Sequence, residues 1–164
     1  MSDTTNDIAR LLVRELEGFK RELELFPDDE SVWRTVPGVT NSAGNLALHV
    51  AGGLQHFVGA TLGGTSYVRN REAEFGRRSG TRAELMSEIN AAIKVVQDVL
   101  SRLPAGALDR QFPELLMGRT IRTGLFLHHL CAHAAFHLGQ AGYLRRVVTA
   151  DARTSGALPL DQLA

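Results

Sequence analysis

The chain has 164 residues, and its 18 basic and 18 acidic side chains give a formal net charge of zero. That balance argues against a nucleic-acid partner, because duplex binding depends on clustered basic residues that displace counterions. The first ten residues are polar and no apolar run approaches the ~20 residues of a membrane span, so neither a signal peptide nor a membrane segment is predicted. Cys131 is the only cysteine, which excludes an intrachain disulfide and favours a cytoplasmic protein.

Four segments have the three- and four-residue spacing of apolar side chains that indicates amphipathic helices. They are predicted at about 4–26, 42–62, 81–102 and 123–148. Ser42 is a suitable N-cap for the second helix, and Thr81 with Glu84 forms a capping box for the third. The connections contain proline and glycine, and two of them are long and predicted to be irregular. Residues 1–150 are therefore predicted to form one all-α four-helix bundle, followed by an irregular tail at 151–164.

The fourth segment holds four of the six histidines, in the stretch LHHLCAHAAFHLGQ. His129, His133 and His137 share the helix face that should point to the core, where an imidazole without a partner is costly. Two histidines four residues apart can chelate one ion. His129 and His137 are about 12 Å apart along the axis, so the pair is either 129/133 or 133/137. Cys131 lies about 200° around the helix from His133 and is interpreted as a small buried hydrophobe.

A third ligand has to come from another helix, and the second segment offers His49 and His56 on one face. Asn45, one turn before His49, is placed to hydrogen-bond a bound water. Gly52 and Gly53 indicate either a close helix crossing or room for a ligand. No Glu-x-x-His sequence occurs, and the acidic residues of the first and third helices are interpreted as mostly solvated, so a di-iron carboxylate site is not expected. A histidine-only site favours zinc or nickel over magnesium or calcium.

The sequence resembles the DinB/YfiT-like superfamily of metal-dependent four-helix bundle proteins. The stretches GNLALHVAGGLQHF, LGGTSYVRNREAEF and HHLCAHAAFHLGQAGYLRR carry the resemblance. It implies an up-down-down-up order of the helices, with long connections, and a homodimer. It also implies that three histidines bind one divalent metal, namely His49, His133 and His137. His129 would then lie outside the ligand set, and His56 matches no fixed ligand of the family.

Characterised members of that superfamily include transferases and isomerases that use low-molecular-weight thiols such as bacillithiol or mycothiol. The resemblance therefore favours a metal-dependent enzyme that activates a thiol, or water, for S-transfer or isomerisation of a small electrophile. Hydrolysis ranks lower because it needs a general base, and no inward carboxylate is predicted. The alternative is a non-catalytic bundle that binds a metal or a small ligand as part of a stress response.

Several further residues are candidates for supporting this site. Gln140 lies one turn beyond the last histidine, where it either orients a ligand or packs. Arg145 is a candidate for contacting substrate carboxylates, as are Arg69, Arg71 and Arg146. Ordinary surface charge is nevertheless the better explanation for any one of these arginines taken alone.

Overall fold

The computed structural model describes residues 3–156 and 159–163, and over that part of the chain the regular elements are helices. The α-helices are α1 (Asp3–Glu24), α2 (Ala43–Leu54, continued as a π-helix over Gln55–Leu62), α3 (Arg71–Gly76), α4 (Arg82–Leu100) and α5 (Thr123–Thr149). Short 3-10 turns cover Ser31–Trp33, Ala107–Asp109 and Asp161–Leu163. Of the predicted domain and tail, residues 1, 2, 157, 158 and 164 lie outside the described residues.

The ends of the helices follow from local capping. α4 begins with the expected reciprocal bonds between Thr81 and Glu84. α2 begins with a second capping box, in which Asn45 takes the place that Glu or Gln usually has and bonds to Ser42. α1 ends at Glu24 rather than near residue 26, because the approach to a proline at position 27 disfavours helical backbone.

The four long helices pack around a common apolar core. α1 packs along α4 and α5, and α2 packs along the same two helices. Fully buried aliphatic side chains come from all four, including Leu12, Val50, Ile89 and Leu127. Each such side chain contributes about 1.5–3 kcal/mol when it leaves water. This packing places His49 of α2 beside His133 and His137 of α5. None of the helices formed by the described residues has both the length and the apolar content needed to cross a bilayer.

Two acidic residues of α1 are exceptions to the expectation that these side chains are mostly solvated. Glu15 and Glu22 are buried. Glu22 accepts a hydrogen bond of 2.7 Å from Nε of Arg145, which is itself fully buried, and one of 2.6 Å from Oγ of Ser155. Arg145 therefore holds the C-terminal tail and α5 against α1, and the expectation that it contacts a substrate is wrong. From the sequence alone Arg145 is interpreted as surface charge, because its partner Glu22 lies far away along the chain.

The connection between α4 and α5 contains a small hairpin rather than only irregular chain. Leu116 and Arg119 exchange backbone hydrogen bonds of 2.9 and 3.0 Å. Between them Met117 and Gly118 both have positive φ, 52° and 75°, as the tight turn of a twisted hairpin requires. Thr123 donates its backbone N–H to the oxygen of Arg110 at 2.8 Å and closes the segment, which we call the 110–123 hairpin.

Candidate metal centre

Three imidazoles from two helices meet between α2 and α5. Nε2 of His133 lies 3.2 Å from Nε2 of His49 and 3.1 Å from Nε2 of His137. One ring nitrogen from each of the three residues lies within 4.8 Å of the other two. His129, one turn earlier on α5, is not in this group, and its ring centroid is 5.9 Å from that of His133. Of the two histidine pairs left open by the spacing, the structure brings 133 and 137 together with residue 49.

Hydrogen bonds on the far side of two rings direct nitrogen lone pairs toward the meeting point. Nδ1 of His49 lies 3.0 Å from Oε2 of Glu74, and Nδ1 of His137 lies 2.7 Å from Oε1 of Gln140. Amide and ionised carboxylate oxygens only accept, so these contacts require each Nδ1 to carry the ring hydrogen and donate it. Nη2 of Arg69, which can only donate, also lies 3.2 Å from Nδ1 of His49, but it donates to the closer Oε2 of Glu74 at 2.8 Å. Nε2 of both rings is therefore bare. Of the three converging nitrogens, only that of His133 can carry a hydrogen. Two or three nitrogen lone pairs therefore point to one place, and such a place attracts a cation.

The surroundings also keep the rings of His133 and His137 neutral. Burial, with the neighbouring imidazoles of His137 and His49, lowers the pKa of His133 to about 4. Burial likewise lowers the pKa of His137, although the hydrogen bond to Gln140 works in the opposite direction. Neutral imidazole is the form that coordinates metal, so near neutral pH no proton has to leave these two rings before an ion binds.

The spacing of the nitrogens fits a single transition-metal ion. Two nitrogens each about 2.0–2.1 Å from zinc, at tetrahedral or octahedral angles, are about 2.8–3.4 Å apart. The two contacts of Nε2 of His133, at 3.1 and 3.2 Å, fall within that interval. Imidazole donors suit zinc and nickel better than magnesium or calcium, which prefer oxygen. The three residues therefore fit a divalent transition metal.

A buried carboxylate supports the first of these histidines. Glu74, on α3, is 5% exposed and accepts the Nδ1 hydrogen of His49. Arg69 donates to both of its oxygens, at 2.7 and 2.8 Å. Burial acts to raise the pKa of Glu74, but the hydrogen bonds from His49 and Arg69 outweigh it and hold the pKa below its usual value. Such a carboxylate fixes the tautomer and orientation of a metal-binding histidine. The prediction that no carboxylate points inward is wrong.

Asn45 does not serve a bound water as expected, because it is buried and used to join α3 to α2. Its Nδ2 donates to the backbone oxygens of Glu74 and Arg77, at 2.8 and 2.9 Å. It therefore positions the carboxylate indirectly, through the backbone. The sequence does contain a signal for α3: Asn70 is a good N-cap, and Glu72 and Glu74 follow in the first turn.

The glycine pair of α2 has two separate explanations. A Cβ at Gly52 would lie 2.5 Å from Oε1 of Glu74, so this glycine allows the carboxylate to approach the helix closely. Outside its own helix backbone, the nearest atom to a Cβ at Gly53 would be Nη2 of Arg69, at 3.6 Å, and Gly53 lines an open cleft. The close approach of Glu74 to α2 therefore explains Gly52. Gly53 instead leaves room beside the helix.

We expect Gly52→Ala to lower zinc affinity by about tenfold or more, because the new methyl group displaces Glu74 from His49. Gly53→Ala is the matched control and should change the affinity by less than about twofold. Both changes should gain about 1 kcal/mol of helix propensity, so a difference between them reports on the carboxylate. Calorimetric titration of zinc into the two variants and the wild type measures this. Equal affinities in all three would show that the contact with Glu74 does not tune the site.

His56 and His129 lie apart from the three converging nitrogens. Nε2 of His56 is 3.0 Å from Oε2 of Glu114, which also accepts a 3.2 Å hydrogen bond from Thr61. These bonds connect the 110–123 hairpin to the π-helix. His129 is exposed, and its ring stacks on Phe126 with an angle of 14° between the planes. Neither residue is placed to join an ion at the three-histidine point.

Cys131 faces α1 and not the histidines. Its Sγ lies 3.9 Å from the backbone oxygen of Ile8. Burial raises the pKa of the Cys131 thiol to about 11, so very little thiolate exists at neutral pH. The side chain is partly buried and packs on the apolar core. It is therefore not a nucleophile for this site.

A cleft of about 1180 Å³ opens beside the histidines, and His49 and His133 form part of its lining. Its walls are mainly apolar and come from α2, α5 and the 110–123 hairpin. They include Leu54, Phe57, Ile121, Phe126 and Leu130. A molecule that reaches the three-histidine point from this side therefore has space for an apolar body.

A helical bundle whose polar centre consists of imidazoles from two facing helices is typical of a metal-binding helical protein. The family model of the DinB superfamily matches residues 11–141, a span that contains all three converging histidines. The chain therefore belongs to the DinB superfamily, which confirms the resemblance found in the sequence. Comparisons with curated proteins and with solved structures gave no match.

Proposed function

We propose that this protein is a metal-dependent enzyme that activates a low-molecular-weight thiol, with His49, His133 and His137 holding a zinc or nickel ion. The convergence of three imidazole nitrogens beside an apolar cleft is the observation that carries the proposal. A divalent metal held there would act as a Lewis acid and lower the pKa of a thiol from its ordinary value of about 8.5, which makes the thiolate available at neutral pH.

The protein side chains orient the ligands and exclude water. Glu74, held by Arg69, keeps the hydrogen of His49 on Nδ1, and Gln140 does the same for His137. The apolar walls limit water around the thiolate and a small electrophile. In S-transfer the sulfur forms a bond to an electrophilic carbon, the leaving group departs with its electron pair, and the thiol proton passes to solvent.

A thiol is favoured over water as the activated nucleophile. Hydrolysis would need a general base within reach of the water. The buried carboxylate nearest the site is Glu74, but its oxygens already accept hydrogen bonds from His49 and Arg69 and its pKa is below the usual value. Glu74 therefore orients His49 and does not serve as the general base that hydrolysis needs.

The proposal also includes an up-down-down-up order of the long helices, a cytoplasmic homodimer and a small-molecule substrate rather than nucleic acid. The exposed face of α5 supports the dimer. Phe136 and Tyr143 are 62% and 73% exposed there, and no acidic residue, lysine or arginine occurs from Thr123 to Leu144. A long uncharged helix face with large apolar side chains is typical of a surface that another chain covers.

We expect zinc- or nickel-loaded protein to accelerate the reaction of a thiol with 1-chloro-2,4-dinitrobenzene or monochlorobimane. The thiols to compare are bacillithiol, mycothiol, glutathione and cysteine. At pH 7 a free thiol is only about 3% thiolate, so full ionisation alone gives about a 30-fold advantage over metal-free protein. Absorbance or fluorescence of the conjugate measures the rate. Stoichiometric metal without thiol-dependent turnover would contradict the enzyme and favour the non-catalytic binding protein.

A further inference from the structure

Some of the charged side chains that line the cleft have a bonded partner, and others have none. Three arginines line it, Arg69, Arg71 and Arg119, together with the carboxylate of Glu114. Arg69 is bound to Glu74, and Glu114 is bound by side chains of the π-helix. Among the residues that the structure describes, no carboxylate lies within 4.0 Å of the guanidinium of Arg71 or of Arg119. Two cations without an anionic partner therefore border a cleft that leads to the three histidines.

Structured elements hold both of these arginines. Arg71 is the first residue of α3, and its guanidinium carbon lies 5.0 Å from the ring centroid of Phe75. The ring of Phe75 is in turn 4.7 Å from that of His49, so Arg71 is connected to the candidate metal centre through the contacts of the Phe75 ring. Arg119 follows the tight turn of the 110–123 hairpin, where its backbone is bonded to Leu116. The two positively charged groups thus approach the cleft from different elements.

The walls of the cleft are apolar and partly exposed. Phe57 and Phe126 line it, with ring centroids 5.0 Å apart, and Phe112 packs against both. Leu115 and Leu125 also line it, although they are 62% and 59% exposed. Exposed apolar side chains grouped around a concave surface are typical of a ligand-binding site.

We propose that this cleft binds a ligand with an apolar body, about the size of one or two aromatic rings, and a terminal carboxylate or similar anion. Arg71 and Arg119 contact the anion, because a guanidinium presents paired N–H groups that match two anionic oxygens. The apolar body lies against Phe57 and Phe126. The assignment of this ligand as the electrophilic substrate rests on the proposed function, but binding in the cleft requires no metal.

The test compares two fluorescent probes that share one aromatic skeleton. 8-Anilinonaphthalene-1-sulfonate carries an anion, and N-phenyl-1-naphthylamine carries no charge. We expect wild-type protein to bind the anionic probe about tenfold more tightly. Arg71→Gln and Arg119→Gln should each weaken the anionic probe by about threefold to fivefold, the range for partly exposed charge contacts, and leave the neutral probe unchanged. Arg34→Gln, at an exposed arginine outside the cleft, is the matched control and should change neither affinity.

A second pair of variants tests where the probes bind. Leu125→Glu places a carboxylate in the lining and should weaken both probes, the anionic one more strongly. Leu160→Glu, also at an exposed leucine but outside the cleft and away from α5, should leave both affinities unchanged. Circular dichroism melting checks that each variant is folded. Equal affinity of the wild type for the two probes, or a larger loss in Leu160→Glu than in Leu125→Glu, would overturn the proposal.

Titrations on metal-free and zinc-loaded protein separate this inference from the proposed function. A preference for the anionic probe that depends on Arg71 and Arg119 supports the inference even if zinc fails to bind, in which case the proposed function alone fails. Conversely, tight zinc binding together with equal affinity for the two probes leaves the proposed function in place and overturns the inference.

Discussion

His133→Ala is expected to lower zinc affinity by about 100- to 1000-fold. Nε2 of His133 lies 3.2 Å from Nε2 of His49 and 3.1 Å from Nε2 of His137, so its loss leaves two nitrogens that no longer surround an ion. Four-ligand zinc sites bind with about 10–16 kcal/mol, or about 2.5–4 kcal/mol for each ligand, and that contribution corresponds to the stated loss. Calorimetric titration gives the affinity. Element-resolved mass spectrometry of protein purified without an affinity tag gives the metal content.

The sequence provides a symmetric control for this experiment. His137 and His129 each lie four residues from His133 on α5, but only the first contributes a nitrogen to the cluster. His137→Ala should therefore lose zinc about as strongly as His133→Ala, whereas His129→Ala should stay within about threefold of the wild type. A stronger loss in His129→Ala than in His137→Ala would reverse the choice of pair. Unchanged metal content in every variant would show that the histidines only bond to one another.

The part of the site that lies on one helix was predictable, because helical spacing alone decides which residues share a face. It predicted that His129, His133 and His137 share one face of α5 and limited the ligand pair to two choices, but the expectation that His129 points to the core is wrong, since its side chain is exposed. The third histidine was not decided by spacing, since His49 and His56 share a face in a regular α-helix. His56 lies in the π-helix that begins at Gln55, and its ring reaches Glu114 of the 110–123 hairpin instead of the histidines of α5.

The supporting shell of the site was missed because it depends on contacts between distant segments. Glu74 lies on a helix of six residues, too short to show a periodic pattern, and it reaches His49 from 25 positions away. Its burial depends on Gly52, whose missing side chain was compatible with two explanations. Glu74 has charged neighbours in the sequence, and a glutamate in such a segment is normally interpreted as solvated. Only the packing of α3 on α2 shows that it is enclosed.

The buried ion pair of the bundle has the same origin, and breaking it should have the largest effect on stability. Nε of Arg145 donates to Oε2 of Glu22 at 2.7 Å, across 123 positions of sequence, and the arginine also binds backbone oxygens of Asp151 and Arg153. Gly142 leaves room for the carboxylate, since a Cβ there would lie 3.1 Å from it. The pair therefore joins α1, α5 and the C-terminal tail.

Arg145→Met is expected to lower the free energy of unfolding by about 3–5 kcal/mol, because Glu22 then remains buried without its partner. The double variant Glu22→Leu/Arg145→Met removes both charges and should recover most of that loss. Urea unfolding of the metal-free proteins measures the difference. Zinc affinity of the folded variants should stay within about threefold of the wild type, since the pair contacts none of the three histidines. A double variant as unstable as Arg145→Met would show that the hydrogen bonds to the tail, rather than the isolated charge, account for the loss.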